Sequence, residues 1–342
     1  MKKYLIWVAA LGVLQVQVQV QVQVQAQVQV QTQVHAQKKQ PVAIILDTDI
    51  GPDYDDVGAV AVLHALADAG EARPLAIMAS NKNELVAPTI DVLDMYFGRP
   101  TLPIGAPKSV SAPDRGAPQK WPEMLLKKYP HHIHATSEVP NAIELYRKIL
   151  AAQPDKSVTI VTVGFLTNLA GLLETKGDAY SRLTGVELIR KKVKQLVSMA
   201  GAFPRGREFN VLVDSAASAK VFLHWPTPVI FSGFEIGRQI ITGKQLTEDV
   251  GLQSPVKDVF ALCMAFSDED RNGRKSWDQT AVLAAVRGTS PYFGLVRGQI
   301  ILAGGNNEWK DDPAGNQAYL TMKMSPEEVR GIIEGLMMHT SK

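Results

Sequence analysis

The chain has 342 residues, 46% of them apolar and 20% charged, which is enough to bury a large core and unlike a disordered or fibrous chain. Its formal net charge is +2, and loss of residues 1–36 would remove Lys2 and Lys3 but no acid, leaving 34 basic and 34 acidic residues. That balance offers no basic face, so nucleic acid is excluded as the expected partner.

The first element is a leader. "MKK" is followed by the apolar run "YLIWVAALGVL", 11 residues long, too short to span a bilayer and the right length for a secretory signal. Residues 15–34 then alternate Gln and Val, which fits the period of a strand but is low in complexity and has no partner sequence. We assign residues 1–36 to a signal peptide plus this non-folding segment and residues 37–342 to one domain. Ala26 and Ala36 both offer a cleavage point. No cysteine lies beside the leader, so a lipid anchor is not supported, and the expected location is exported, periplasmic or secreted.

Beyond the leader, strands and helices alternate. "VAIILDTD" (42–49) reads as a buried strand and "DDVGAVAVLHALADAG" (55–70) as a helix with acids in its first turn and Gly70 at its end. "RPLAIMAS" (73–80) reads as a second strand, followed by helical "ELVAPTIDVLDMYFG" and a short "LPIG". The runs "VTIVTVGF" (158–165), "KQLVSMAGAF" (194–203) and "TPVIFSGFEIG" (227–237) each end in glycine or other small residues. The pattern predicts an α/β fold, a mainly parallel open sheet covered by helices on both faces. Residues 107–140, rich in Pro, Lys and His, read as a long excursion over one edge. Cys263, the one cysteine, lies in an apolar helical stretch and reads as a small core residue.

In such sheets, ligands bind where the carboxyl ends of strands meet helix N-termini. There the chain places "DTDIGPDYDD", with five aspartates in ten positions. Asp55 and Asp56 alone could be helix-capping acids, but a cap needs one acceptor and this stretch supplies many. Buried like charges require a counter-charge. Oxygen ligands without a Cys or His cluster suit Ca²⁺ or Mg²⁺ better than zinc. An EF-hand is excluded because Gly58 stands at the twelfth position, counted from Asp47, where a bidentate Glu belongs. A phosphatase-like site with an aspartyl nucleophile is the second candidate, although Asp53, Asp55 and Asp56 would repel a phosphate.

At these residues the chain resembles the nucleoside hydrolase family. "DTDIGPDYDD" is similar to the family's N-terminal signature. "SNKN" follows the second strand where the family has Gly-Asn, and "VGFLTNLA" (163–170) resembles its Gly-Pro-Leu-Thr-Asn stretch. "MAGAF", "EFNVLVDSAAS" (208–218) and "SWDQTAVLAAV" (276–286) follow in family order, so the resemblance spans roughly residues 42–288.

The resemblance implies Ca²⁺-dependent hydrolysis of the N-glycosidic bond of ribonucleosides by a metal-activated water, releasing ribose and free base. It makes Asp49 the general base and a metal ligand, with Asp56, Asp278 and the main-chain carbonyl of Thr167 as further ligands. Asp55, Asn81, Glu208 and Asn210 match positions that hold the ribose hydroxyls. Trp277, beside Asp278, is placed equally as a base-stacking platform and as plain packing. The transition state is oxocarbenium-like, which is why carboxylates and amide oxygens would ring the sugar. The implied partner is a small-molecule ribonucleoside, and homo-oligomer assembly stays open.

The departures from the family pattern are specific. "GPDYDD" is two residues longer than the family loop, which leaves Asp53 as an added acid. "FPRGR" lacks an Asn that many members use on the sugar, leaving Arg205 or Arg207 nearby. Trp277 replaces the histidine that helps many members protonate the departing base. A non-catalytic ribose- or nucleoside-binding protein that keeps the metal pocket is therefore the alternative reading. The histidines of "HHIH" (His131, His132, His134) read as a solvated loop rather than a zinc site. Trp121, Trp225 and Trp309 read as packing, and Glu235 as the end of a strand, serving as a cap or as a hydrogen-bonding support. Base selection is expected to fall to residues 107–140 and 238–276.

Overall fold

Strand β1 (Val42–Thr48) carries Ile44, Ile45 and Leu46 fully buried, as expected of a strand covered on both faces. The computed structural model describes residues 40–341, so the leader and Gln/Val segment expected over 1–36 lie outside the described residues. The other strands are β2 (Ala72–Ala79), β3 (Ile104–Gly105), β4 (Val158–Thr162), β5 (Val193–Met199), β6 (Arg205–Arg207), β7 (Val229–Ser232), β8 (Ile241–Thr242), β9 (Arg274–Lys275), β10 (Phe293–Ala303), β11 (Asn306–Asp311) and β12 (Gln317–Met322).

The main sheet runs β3-β2-β1-β4-β5-β7-β12-β10-β11-β6. From β3 to β12 every pairing is parallel, and Leu46 of β1 sits in register between Ile77 of β2 and Val161 of β4. Successive side chains of a strand point to opposite faces. Ile44 and Leu46 therefore join one core, with Val57, Val60, Val282 and Leu283, while Ile45 joins the other, with Tyr146, Leu169 and Phe231. Helices cover both faces.

The end of the sheet was not expected to turn antiparallel. β10 pairs antiparallel with β12 and β11, and β11 with β6. Gly304 and Gly305 connect β10 to β11 with φ of 58° and 81°, the left-handed pair that a two-residue hairpin turn requires. This hairpin also supports the site. Asn307 accepts a hydrogen bond from Ala202 N at 2.9 Å and donates to Ala202 O at 2.8 Å, holding the loop before β6.

Two helices decide where the acids lie. Asp55–Asp68 follows β1, and Trp277–Arg287 packs against it. Gly58 makes that contact close, since a Cβ there would lie 2.3 Å from Gln279 Nε2. Both helices begin at the carboxyl end of the sheet and carry their acids in the first turn, where the positive end of the helix dipole favours them.

Residues 107–140 do form an excursion, but it contains the helix Trp121–Lys128, whose Trp121 is fully buried. Trp225 is buried and Trp309 packs partly buried against the core. Cys263 is a core residue, and burial pushes its thiol up to about 12. Glu235 does not end a strand: β7 stops at Ser232, and Glu235 lies in the short helix Phe234–Gly237, accepting from Phe203 N at 2.9 Å. His132 and His134 are exposed, and the backbone of that loop is held by Asp91, which accepts from Ile133 N at 2.9 Å. Among the described residues no helix is long and apolar enough to cross a membrane.

Candidate active site

A cavity of about 500 Å³ opens at the carboxyl end of the sheet, within the range of small-ligand sites. Asp49, Asp53, Asp55, Asp56 and Asp278 line it, together with Glu208, Asn210 and Trp277. Asp278, far from the others in sequence, offers a carboxylate oxygen within 4.8 Å of oxygens from Asp55 and Asp56. The clustered N-terminal acids and this distant one therefore share one spot. This trio contains Asp55 where the resemblance implied Asp49: Asp55 and Asp56 are adjacent in one helical turn and both approach Asp278.

Asp49 follows β1 directly and sits in the same cavity. Burial, then the charges of Asp56 and Asp53, pushes its carboxyl well above the usual range. Burial and Asp55 do the same to Asp56, and burial with Asp55, Asp56 and Asp49 to Asp278. Thr48 Oγ1 donates to Asp56 Oδ1, which fixes that side chain. Gly164 lies so close that a Cβ there would be 2.4 Å from Asp49 N.

Three buried carboxylates converge on one spot, all oxygen donors, and burial first and their mutual repulsion second push Asp56 and Asp278 well above the usual carboxylate range. These residues fit a cation of the Ca²⁺ or Mg²⁺ type. The compensation that the protein does provide is Arg274. Its Nε and Nη2 donate to Asp55 Oδ1 at 3.1 and 2.9 Å, and Nη2 donates to Asp53 Oδ1 at 2.6 Å. Burial raises Asp55, and Arg274 opposes that rise.

Two side chains define the opposite wall. Glu208 caps the short helix Phe209–Val213, accepting from Asn210 N at 2.8 Å and from Val211 N and Gly201 N at 3.1 Å. Burial nonetheless lifts its carboxyl to about 7. Asn210 donates both amide hydrogens, to Val163 O at 3.0 Å and Met199 O at 3.1 Å, so only its Oδ1 remains for a ligand. Beneath the cavity floor, Asp47 accepts from Tyr146 OH at 2.8 Å and from Asn168 Nδ2 at 3.2 Å.

Asn81 and Thr167 stand outside the lining residues. The Asn81 amide donates to Asp49 O and Arg115 O and accepts from Asn83 N and Arg115 N, which uses its hydrogen-bonding capacity on the backbone. It ties the turn at Asp49 to the excursion. Thr167 Oγ1 donates to Asp214 Oδ2 at 2.6 Å. The Trp277 ring lines the cavity, its Nε1 donates to Phe234 O at 2.8 Å and its face stacks on Phe234 with centroids 5.2 Å apart.

Sequence reasoning missed Arg274, as well as the lining residues Glu269, Phe209 and Phe234. A signal for Arg274 was present, since "RNGRKSWD" puts a cation a few residues before the metal-type Asp278 in a chain whose acids needed one.

Comparison with known proteins agrees with this architecture. A family model described as inosine-uridine preferring nucleoside hydrolase matches residues 44–331. The pyrimidine-specific ribonucleoside hydrolase RihA of Shewanella sp. (strain MR-4) is 31% identical over 244 residues, covering 65% of this chain and 67% of that protein. The non-specific ribonucleoside hydrolase RihC of Klebsiella pneumoniae (strain 342) is 28% identical over 203 residues, covering 56% of this chain and 61% of that one. Among solved structures, the plant nucleoside hydrolase PpNRh1 superposes with a TM-score of 0.63 at 22% identity, covering 87% of this chain and 99% of its own, a likeness of fold.

Proposed function

This chain belongs to the inosine-uridine preferring nucleoside hydrolase family and is a hydrolase of N-glycosidic bonds, and we propose that it splits ribonucleosides with Asp49 as general base and a calcium ion in the aspartate cluster. The observation that carries this reading is the convergence of Asp278 with Asp55 and Asp56 in a cavity that Asp49 also lines.

Asp56 and Asp278 would hold the ion with Asp49, which lines the same cavity; the Thr167 carbonyl, from a residue outside that lining, is assigned by the resemblance alone. When bound, a hard divalent cation supplies charge neutralisation and Lewis acidity at that spot. Asp49 takes the proton of the attacking water. It lines the cavity beside Asp56 and Asp278, and a cation that offsets its acidic neighbours would keep it ionised and able to accept that proton. Glu208, Asn210 and Asp55 hold the ribose, and their oxygens face the positive charge that grows on the ring as the C–N bond breaks. Asn81 acts through the turn it fixes. Trp277 supplies an apolar face on which a base can stack.

Export to the periplasm or medium is part of the same proposal, supported by the basic start and apolar run of residues 1–14. Incubation of the purified protein with inosine, uridine and adenosine, with and without EDTA, tests the reading. Release of free base that stops with EDTA supports it. Saturable binding without turnover would support the binding-protein alternative instead.

A further inference from the structure

Two departures from the family pattern, the lengthened loop and Trp277, meet at one side chain. Asp53, the added acid, accepts from Arg274 Nη2 at 2.6 Å. Trp277, which stands where the family has a histidine, places its ring 5.0 Å from the Arg274 guanidinium carbon. Tyr54, inside the lengthened loop, puts its ring at the same distance on its own side and donates to Asp270 Oδ2 at 2.9 Å. Asp270 in turn lies 3.5 Å from Arg274 Nη1, the least engaged of the guanidinium nitrogens. The side chain of Arg274 is only 11% exposed, yet it lines the cavity between Asp55 and Trp277. A guanidinium buried and held by three carboxylates and two rings is a fixed cation, and of its five N–H groups one, on Nη1, is left without a partner in these contacts.

Its place matters because Asp55 is the proposed sugar contact and Trp277 the proposed base contact. We propose that Arg274 is the leaving-group residue: it donates a hydrogen bond to the departing base and stabilises the negative charge that forms there. This inference rests on the hydrolase reading. In the step, water oxygen bonds to the anomeric carbon, its proton goes to Asp49, and the C–N electron pair goes to the base nitrogen. The base leaves as an anion paired with Arg274 and takes its proton from solvent afterwards, since a guanidinium does not give one up. Such a site favours bases that depart as stable anions with a carbonyl oxygen beside the glycosidic nitrogen, as in uridine. It disfavours bases that leave only after protonation of a ring nitrogen, as in adenosine.

The test compares wild type with Arg274→Gln on uridine, adenosine and 4-nitrophenyl ribofuranoside, whose phenolate departs without help. Arg274→Gln should lose about 10²–10³-fold in kcat/KM on uridine and less than about 10-fold on the nitrophenyl substrate, with the uridine-to-adenosine ratio falling. Equal losses on both substrates would reduce Arg274 to a support for Asp55 and overturn the inference while leaving the hydrolase reading intact. No loss on either would overturn it also. Wild type that releases base from no riboside would remove the hydrolase reading and this inference with it. Should Arg274→Gln fail to fold, Asp53→Asn loosens the same guanidinium from outside. Selective loss on uridine then supports the inference, and an unselective or absent effect overturns it.

Discussion

Asp49 and Glu208 line the same cavity with different proposed duties. Asp49→Asn keeps the side-chain volume but removes the proton acceptor, so kcat on uridine should fall about 10²–10⁴-fold in steady-state assays, and unchanged turnover would remove Asp49 from its role. Glu208 offers a pH signature. Its carboxyl is lifted by burial from 4.5 to about 7, so between those values the folded chain holds a proton that the unfolded chain has released. Stability from this group is fully present below pH 4.5 and is lost as pH rises through 7, by an amount on the order of 3 kcal/mol. Glu208→Gln should flatten the urea-denaturation stability curve in that window, and a curve of unchanged slope would contradict the assignment. At this scale the aspartates were legible because five acids in ten residues have no bland explanation. Asn81 was legible only as a polar residue after a strand, since nothing in sequence shows that its amide is consumed by the backbone of Asp49 and Arg115. Arg274 went unseen because its meaning depends on the fold bringing residue 274 onto residues 53 and 55.

The helices Asp55–Asp68 and Trp277–Arg287 must lie close for their first-turn acids to meet. Gly58 permits this, and Gly58→Ala would drive a methyl group into Gln279. Overpacking of this kind typically costs about 1–3 kcal/mol, and the side chain that must give way, Gln279, is buried and adjoins Asp278. The variant should show a lower thermal midpoint together with weaker Ca²⁺ binding, whereas a variant that binds the ion normally would show that the helix spacing has slack. Elements with strong apolar runs were readable in advance, and β1, β2 and the first helix lie within a residue or two of expectation. The hairpin β10–β11 was not read, although its Gly-Gly turn is a recognisable signal. Its strands alternate buried and exposed residues, so they lack the continuous apolar runs that marked the parallel strands. Glu235 was misplaced for a related reason: "FSGFEIG" keeps its hydrophobicity across the change from β7 to helix, and only Gly233 marks the break.

For the whole molecule, a parallel sheet brings the ends of distant segments to one edge, and this turns a chain-long set of motifs into one cavity. A mainly parallel sheet could be anticipated from alternating strands and helices, while its antiparallel edge went unread. Buried acids that repel one another leave the protein without its cation at a disadvantage that grows with pH, because Asp49, Asp56 and Asp278 must all ionise in a buried site. The direct measurement is calorimetric titration of the EDTA-stripped full-length protein with Ca²⁺ at pH 8, for wild type and Asp278→Asn side by side. We expect one ion per chain in wild type and no measurable binding in the variant. Equal saturation of both proteins, or no binding by wild type, would contradict the shared cation site on which the catalytic reading stands.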